Sequence, residues 1–113
     1  MSLEIKPGVT LLGLVPQMVV ALIVVEDCYD SVNAHCTITA GNDGSHSITS
    51  EHYAGRALDF RTRELESPVA AALAKLIKQS LGRDFVVLLE ADHLHVHYKP
   101  QRPEAVIPYD EKT

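Results

Sequence analysis

Residues 93–98 alternate strictly between histidine and apolar or aromatic residues, in the order His-Leu-His-Val-His-Tyr. Successive side chains of a β-strand point to opposite faces, so this segment predicts a strand with three histidines on one face and an apolar surface on the other. Residues 57–61 show a similar pattern, because Leu58 and Phe60 alternate with Asp59 and Arg61. Strands of this kind belong in a sheet that is covered by other elements on its apolar side only.

Two segments have the length and composition of helices. Pro16 begins an apolar run that reaches about Asn33, and proline is favoured in the first turn of a helix. Ser67-Pro68 predicts an N-cap and a first helical residue, and Gly82 ends that helix after Leu81. Strands are predicted at residues 36–39, 57–61, 85–89 and 93–98. This order favours an α+β fold with a small, mostly antiparallel sheet and helices packed on one side.

Size and charge limit the classes of function. A chain of 113 residues is enough for one hydrophobic core, and we expect a single domain over residues 1–113. The formal net charge is −5, and the ten Lys and Arg residues are scattered along the chain. Binding to nucleic-acid phosphates needs clustered cations, so the composition argues against a nucleic-acid partner.

No residue between Pro7 and Val25 is charged, which approaches the length of a membrane span. The segment nevertheless contains two prolines and two glycines, and no positively charged flank of the signal-peptide kind precedes it. We therefore expect a buried helix, no membrane span, and synthesis in the cytoplasm without a signal peptide. Cys28 and Cys36 lack metal-binding spacing and are predicted to be small buried residues.

His52, Asp59 and His95 are candidate ligands of a metal ion. Catalytic zinc takes three ligands from imidazole and carboxylate groups and keeps a fourth position open. Asp59 and His95 lie on the polar faces of predicted strands, and Gly55 allows the chain to turn between His52 and Asp59. Two simpler interpretations stay open: the histidine face is also compatible with a hydrated sheet surface, and Asp59 with a salt bridge to arginine. His35 is predicted to be a solvated surface residue.

Residues 50–59, Ser-Glu-His-Tyr-Ala-Gly-Arg-Ala-Leu-Asp, fit the pattern S-x-H-x-x-G-x-A-x-D, and residues 93–95 fit a downstream H-x-H. In this order the two motifs resemble those of zinc D-Ala-D-Ala carboxypeptidases, vancomycin-resistance dipeptidases and phage endolysin peptidases, which share a fold with the hedgehog signalling domain. The resemblance covers about residues 38–98. It implies a hedgehog/DD-peptidase-like fold and a Zn2+ ion held by His52, Asp59 and His95.

The resemblance also assigns roles beside the ligands. His93, the first histidine of H-x-H, would stabilise the transition state, and a carboxylate just upstream would be the general base. Asp92 has the matching spacing to His95, and Glu90 has it to His93. Strict alternation would turn both carboxylates away from His95, so the base is expected in a turn or bulge before the strand. Glu90 is slightly preferred, because Asp92 abuts His93 and is placed to orient it.

One departure from the family concerns the substrate. Many relatives carry an arginine shortly before the first motif, where it binds a substrate carboxylate, and residues 39–46 contain none. Arg61, on the strand face of Asp59, is the first candidate to replace it, and Arg56 is the second. Ser50 and His46 are the other candidate substrate-binding residues.

The resemblance implies a zinc metallopeptidase that hydrolyses peptide bonds in the stem peptides of bacterial peptidoglycan, of D-Ala-D-Ala carboxypeptidase or L-Ala-D-Glu endopeptidase type. Such a protein would reach the cell wall by lysis, a holin pore or virion delivery, which fits a phage or prophage origin. The alternative is a non-catalytic zinc-binding structural or binding module, for example a phage tail component, since the fold also includes a signalling domain. A third possibility is an α+β domain without a metal.

Overall fold

Five strands and two helices form the part of the chain that the computed structural model describes, residues 2–41 and 55–101. The fold is α+β, as the order of predicted elements indicates. In chain order the elements are β1 (Leu3–Ile5), α1 (Pro16–Ser31), β2 (Cys36–Ala40), β3 (Ala57–Arg61), α2 (Ser67–Leu81), β4 (Phe85–Leu89) and β5 (His93–Tyr98).

The strands form one mixed sheet in the order β1-β2-β3-β5-β4. β1 runs parallel to β2, and the other neighbouring strands are antiparallel, so the sheet is not purely antiparallel. β1 is not among the predicted strands, because its three exposed residues carry no alternation signal. Its position depends on contacts remote in sequence: the Ser2 backbone N–H donates to the buried carboxylate of Glu26 on α1 (3.1 Å).

Both helices lie close to their predicted positions, with small differences at their ends. α1 ends at Ser31 rather than near Asn33, which adopts a left-handed φ of 57°. The predicted N-cap of α2 is wrong by one residue. The carbonyl of Glu66 already accepts the first helical hydrogen bond, from the Ala70 N–H at 2.9 Å, so Glu66 is the N-cap and Ser67 lies inside the helix.

One face of the sheet and both helices enclose the hydrophobic core. Leu58 and Phe60 of β3 and Leu94 and Val96 of β5 are fully buried in it, as the alternation predicts. Burial of each such side chain stabilises the fold by about 1.5–3 kcal/mol. A slip of one residue would expose these side chains and bury their polar neighbours, so the core fixes the register of β3 and β5. The core clusters residues of both helices with those of the sheet: Met18, Ala21, Val25, Cys28, Tyr29, Cys36, Ile38, Leu58, Phe60, Leu73, Ile77, Leu94 and Val96.

α1 is apolar on its exposed side as well. Met18 and Val25 are fully buried, whereas Val20 and Ile23 are each 60 % exposed. Within residues 2–41 and 55–101, neither helix combines the length and the hydropathy that crossing a membrane requires.

Cys28 and Cys36 are buried, free thiols, which confirms their predicted packing role. Burial, together with the negative charge of Glu26, raises the pKa of the Cys36 thiol to about 12. The thiolate is the reactive form of cysteine, so Cys36 is unreactive at neutral pH.

Gly55 lies just before β3 and packs against the loop that precedes α1. Its φ is 74°, and a Cβ built on it would lie 2.1 Å from the carbonyl oxygen of Gly13. The Gly55 carbonyl also accepts a hydrogen bond from the Val15 N–H at 3.0 Å. Glycine at this position therefore allows the loop to pack against the strand that carries Asp59.

The variant Gly55→Ala should lower the free energy of unfolding more than Gly8→Ala does. Both glycines have positive φ, but nothing lies within 4 Å of a Cβ at Gly8. The control should lose about 1–2 kcal/mol from the left-handed backbone alone. Gly55→Ala should lose at least about 1 kcal/mol more, because the Gly13 backbone must move. Urea unfolding measures both, and equal losses would show that the loop moves away without cost.

Candidate functional site

Asp59 and His95 face each other across β3 and β5. The antiparallel register places the two residues directly opposite, on the sheet face that points away from the helices. The His95 Nδ1 and Asp59 Oδ1 atoms are 2.9 Å apart, and the side chains are only 19 % and 16 % exposed. The structure therefore brings together two of the three predicted metal ligands.

The third predicted ligand, His52, lies outside the described residues, as do the candidate substrate-binding residues Ser50 and His46. Among residues 2–41 and 55–101, no group of three or more His, Cys, Asp and Glu side chains is arranged to hold a metal ion. Asp59 and His95 offer the carboxylate oxygen and imidazole nitrogen that zinc takes as ligands. Two ligands of tetrahedral zinc lie roughly 3.3 Å apart, so a few tenths of an ångström of opening would admit the ion.

His93 lies on the same face of the sheet, two residues before His95 on β5. It lies opposite Arg61, and its Nε2 atom is 3.7 Å from Oδ2 of Asp59. Its Nδ1 atom is 2.9 Å from Oδ1 of Asp92. The carboxylate of Asp59 therefore lies between two imidazoles, those of His95 and His93. The hydrogen bond with His93 is the main cause that lowers the pKa of Asp92 below its ordinary value.

The two candidate general bases lie in the turn between β4 and β5, just before the strand of His95, as predicted. The Glu90 N–H donates to the His93 carbonyl (2.8 Å), and the Thr62 N–H donates to the Asp92 carbonyl (3.1 Å). These bonds attach the turn to β5 and to the end of β3. Asp92 lines the same cleft as Asp59 and His93, whereas Glu90 lines a separate depression beside the start of α2.

The cleft beside Asp59 is rich in cations. It encloses about 230 Å³, and Lys6, Arg61 and Arg63 contribute to its wall. Among the described residues, none of these three side chains forms an ion pair with a carboxylate. Their charges are therefore available to an anionic ligand. The described residues that line the cleft are Lys6, Thr39, Ala40, Asp59, Arg61, Arg63, Asp92 and His93.

Arg61 is a predicted site residue, whereas Lys6 and Arg63 are not. Lys6 reaches the cleft because β1 lies beside β2, where the Lys6 N–H donates to the Ile38 carbonyl (3.0 Å). The end of β3 is held from the core side, since the Tyr29 hydroxyl donates to the carbonyl of Arg61 (2.9 Å). The only local signal for Arg63 is its closeness in sequence to Arg61.

Two further histidines, His97 and His35, do not line this cleft. His97, two residues after His95 on the same strand face, has its Nδ1 atom 2.9 Å from Nε2 of His95. His35, at the opposite edge of the sheet, contacts the Ser2 hydroxyl and the carboxylate of Glu4 (2.8 Å). Its side chain is 48 % exposed, which confirms its predicted surface position.

No family model matches the chain, and no solved structure matches it. The family resemblance of the two motifs therefore stands on residues 50–59 and 93–95 alone.

The variant His93→Leu should raise the pKa of Asp92 toward its ordinary value of 3.8, because it removes the hydrogen bond that is the main cause of the shift. A lowered pKa in the folded state stabilises the protein above about pH 4, and this contribution is lost as the pH falls. The free energy of unfolding of the variant should therefore depend less on pH in the acid range than that of the wild type. Carboxyl ¹³C NMR titration measures the pKa, with His35→Leu as the control. An unchanged pKa in His93→Leu would contradict the assignment.

Proposed function

We propose that this chain is a zinc-dependent peptidase of the hedgehog/DD-peptidase fold that hydrolyses peptide bonds in peptidoglycan stem peptides. The observation that carries the proposal is the pairing of Asp59 with His95, at 2.9 Å on the sheet face that the helices leave open. These are the two described positions at which the motifs of the resembling family have ligands. Their side chains are 16 % and 19 % exposed, which is low enough to strengthen electrostatic interactions.

Asp59 and His95 would hold the zinc ion together with His52. Their donor atoms, a carboxylate oxygen and the Nδ1 nitrogen, already face each other. When bound, zinc supplies Lewis-acid polarisation of the scissile carbonyl and activates a water molecule. His93 has a ring nitrogen 3.7 Å from the carboxylate of Asp59. From there, in its doubly protonated form, it would donate a hydrogen bond from Nε2 to the oxygen of the scissile carbonyl as negative charge develops on it.

A carboxylate must accept the proton of the attacking water and pass it to the leaving amine. Asp92 is the better placed candidate, because it lines the cleft of Asp59 and His93 while Glu90 lines another depression. Asp92 also accepts the hydrogen bond of His93, and this contact would orient the imidazole. Glu90 stays the alternative base, and the two carboxylates are separated by mutation below.

The basic wall of the cleft supports an acidic substrate. A D-Ala-D-Ala terminus ends in a carboxylate, and an L-Ala-D-Glu bond has a glutamyl carboxylate beside it, so either cut places an anion near the scissile bond. Arg61, with Lys6 and Arg63, would bind this group in place of the arginine that residues 39–46 lack.

A non-catalytic zinc-binding module is the second candidate. It is favoured by the state of Asp92, whose pKa is lowered by its contact with His93. A general base works best with a pKa near the operating pH. In such a module the same side chains would hold the metal and its surroundings without turning over a peptide.

Zinc-loaded protein should release peptides from purified peptidoglycan, and a chelator should stop the release. Asp59→Asn should abolish zinc binding and turnover together. Asp92→Asn should keep zinc and lose roughly 10²–10⁴-fold in turnover, the usual contribution of a general base. Glu90→Gln is the matched comparison and should stay near the wild type. Mass spectrometry of the fragments measures turnover and identifies the bond cut, and elemental analysis measures zinc.

Three other results would each change the proposal. A loss of activity in Glu90→Gln but not in Asp92→Asn would transfer the general base to Glu90. Stoichiometric zinc without any peptide release would support the non-catalytic module. Protein that takes up no zinc would contradict both.

Lys6→Gln and Arg63→Gln should each raise KM for the peptide by up to about fivefold, with kcat nearly unchanged. Each charge is partly screened by solvent and contributes up to about 1 kcal/mol, mainly to substrate binding. Arg83→Gln is the control, because Arg83 lies in the turn before β4 and does not line the cleft. Steady-state kinetics at low and high salt measure KM and kcat separately for all three variants. An unchanged KM in Lys6→Gln and Arg63→Gln would remove the cleft from substrate recognition.

A further inference from the structure

His95 is held at both ring nitrogens. Its Nδ1 atom faces Oδ1 of Asp59, and its Nε2 atom faces Nδ1 of His97, each at 2.9 Å. The two histidine rings meet edge to face, with centroids 5.0 Å apart and an interplanar angle of 63°. Asp59, His95 and His97 thus form one continuous chain of hydrogen bonds across the open face of the sheet.

The fold keeps His97 in this position. β5 lies between β3 and β4, so the backbone of His97 is paired on both sides. Its cross-strand neighbours are Ala57 and Val86, whose side chains have no polar atoms. Two residues before it on the same face, His95 offers the ring nitrogen that His97 contacts.

A neutral imidazole carries a single ring proton, and the position of this proton determines which histidine donates in the contact between His95 and His97. One ring nitrogen carries the proton and the other carries a lone pair. A cation shared by Asp59 and His95 must meet Nδ1 of His95, because Nε2 faces His97. The Nδ1 atom must then offer its lone pair, so the proton resides on Nε2 and is donated to Nδ1 of His97.

Without a cation, donor and acceptor exchange roles in the contact between His95 and His97, and His95 donates to Asp59. The Nδ1–H of His95 then donates to Asp59, and its Nε2 accepts from the Nδ1–H of His97. Metal binding and the tautomers of both histidines are therefore coupled, while the positions of the rings are retained.

We propose that His97 is a positioning residue, which holds the ring of His95 in place and accepts its Nε2–H when His95 binds a metal. The inference rests on the proposed zinc site at Asp59 and His95. Residues that hydrogen-bond the second nitrogen of a histidine ligand fix its tautomer and orientation, and their loss typically weakens metal binding 10–100-fold.

The full-length protein with three substitutions tests the proposal. His97→Leu removes the hydrogen bond and should weaken zinc binding about 10–100-fold. His97→Asn retains a polar atom near the position of Nδ1 and should recover most of this loss. His35→Leu, at the opposite edge of the sheet, should bind zinc like the wild type. Competition with a chromophoric chelator measures the zinc Kd, and circular dichroism confirms folding.

A second measurement, ¹⁵N NMR of the histidine side chains, does not depend on activity. In the wild type the His95 proton should reside on Nδ1 without zinc and on Nε2 with zinc. In the zinc-free wild type the His97 proton should reside on Nδ1, and with zinc it should reside on Nε2. This measurement is available even if the protein binds no zinc, a result that would overturn the proposed function by itself.

Two results would overturn the role of His97. One is a zinc Kd within twofold of the wild type in His97→Leu, or equal losses in His97→Leu and His97→Asn, which would indicate packing rather than hydrogen bonding. The other is a His97 proton that resides on Nε2 in the zinc-free protein, or that stays on Nδ1 when zinc binds.

Discussion

The register between β3 and β5 is the constraint on which the rest of the site depends. Leu58 and Phe60 on one strand, and Leu94 and Val96 on the other, are fully buried against the helices. Alternation along both strands then places Asp59 opposite His95 on the other face. A slip of one residue would separate this pair and would also expose part of the core, at about 1.5–3 kcal/mol for each side chain. The free energy of the core therefore maintains the geometry of the polar face.

The parts of the fold that local sequence patterns encode could be predicted. The bounds of β3, β4 and β5 agree with the alternation or apolar runs of those segments. β1 could not be found this way, because its three residues are exposed and become a strand only by pairing with β2. The N-cap of α2 lies one residue before its predicted position, Ser67. The sequence alone does not show whether the carbonyl of Glu66 or that of Ser67 accepts the first helical hydrogen bond.

The same distinction holds within the candidate site. Alternation predicts that Asp59, Arg61 and the histidines of β5 share a face, and the register confirms it. The place of Lys6 in the cleft follows from the parallel pairing of β1, a contact between segments more than 30 residues apart that no local pattern indicates. The contact between His97 and the ring nitrogen of His95 depends on the side-chain rotamers of both residues. These rotamers do not follow from the fact that the two residues share a strand face.

The charges of the cleft connect the proposed metal to the proposed substrate. Among the described residues that line it, three basic side chains outnumber two carboxylates, Asp59 and Asp92, so a bound divalent cation would add to this excess of positive charge. The repulsion between the cation and these basic groups costs free energy, which grows as solvent is excluded. An acidic peptide would relieve this repulsion when it enters, because its carboxylate would neutralise part of the excess. The cleft should therefore bind the metal and an anionic substrate more strongly together than separately, which is the coupling that a metallopeptidase for acidic peptides requires.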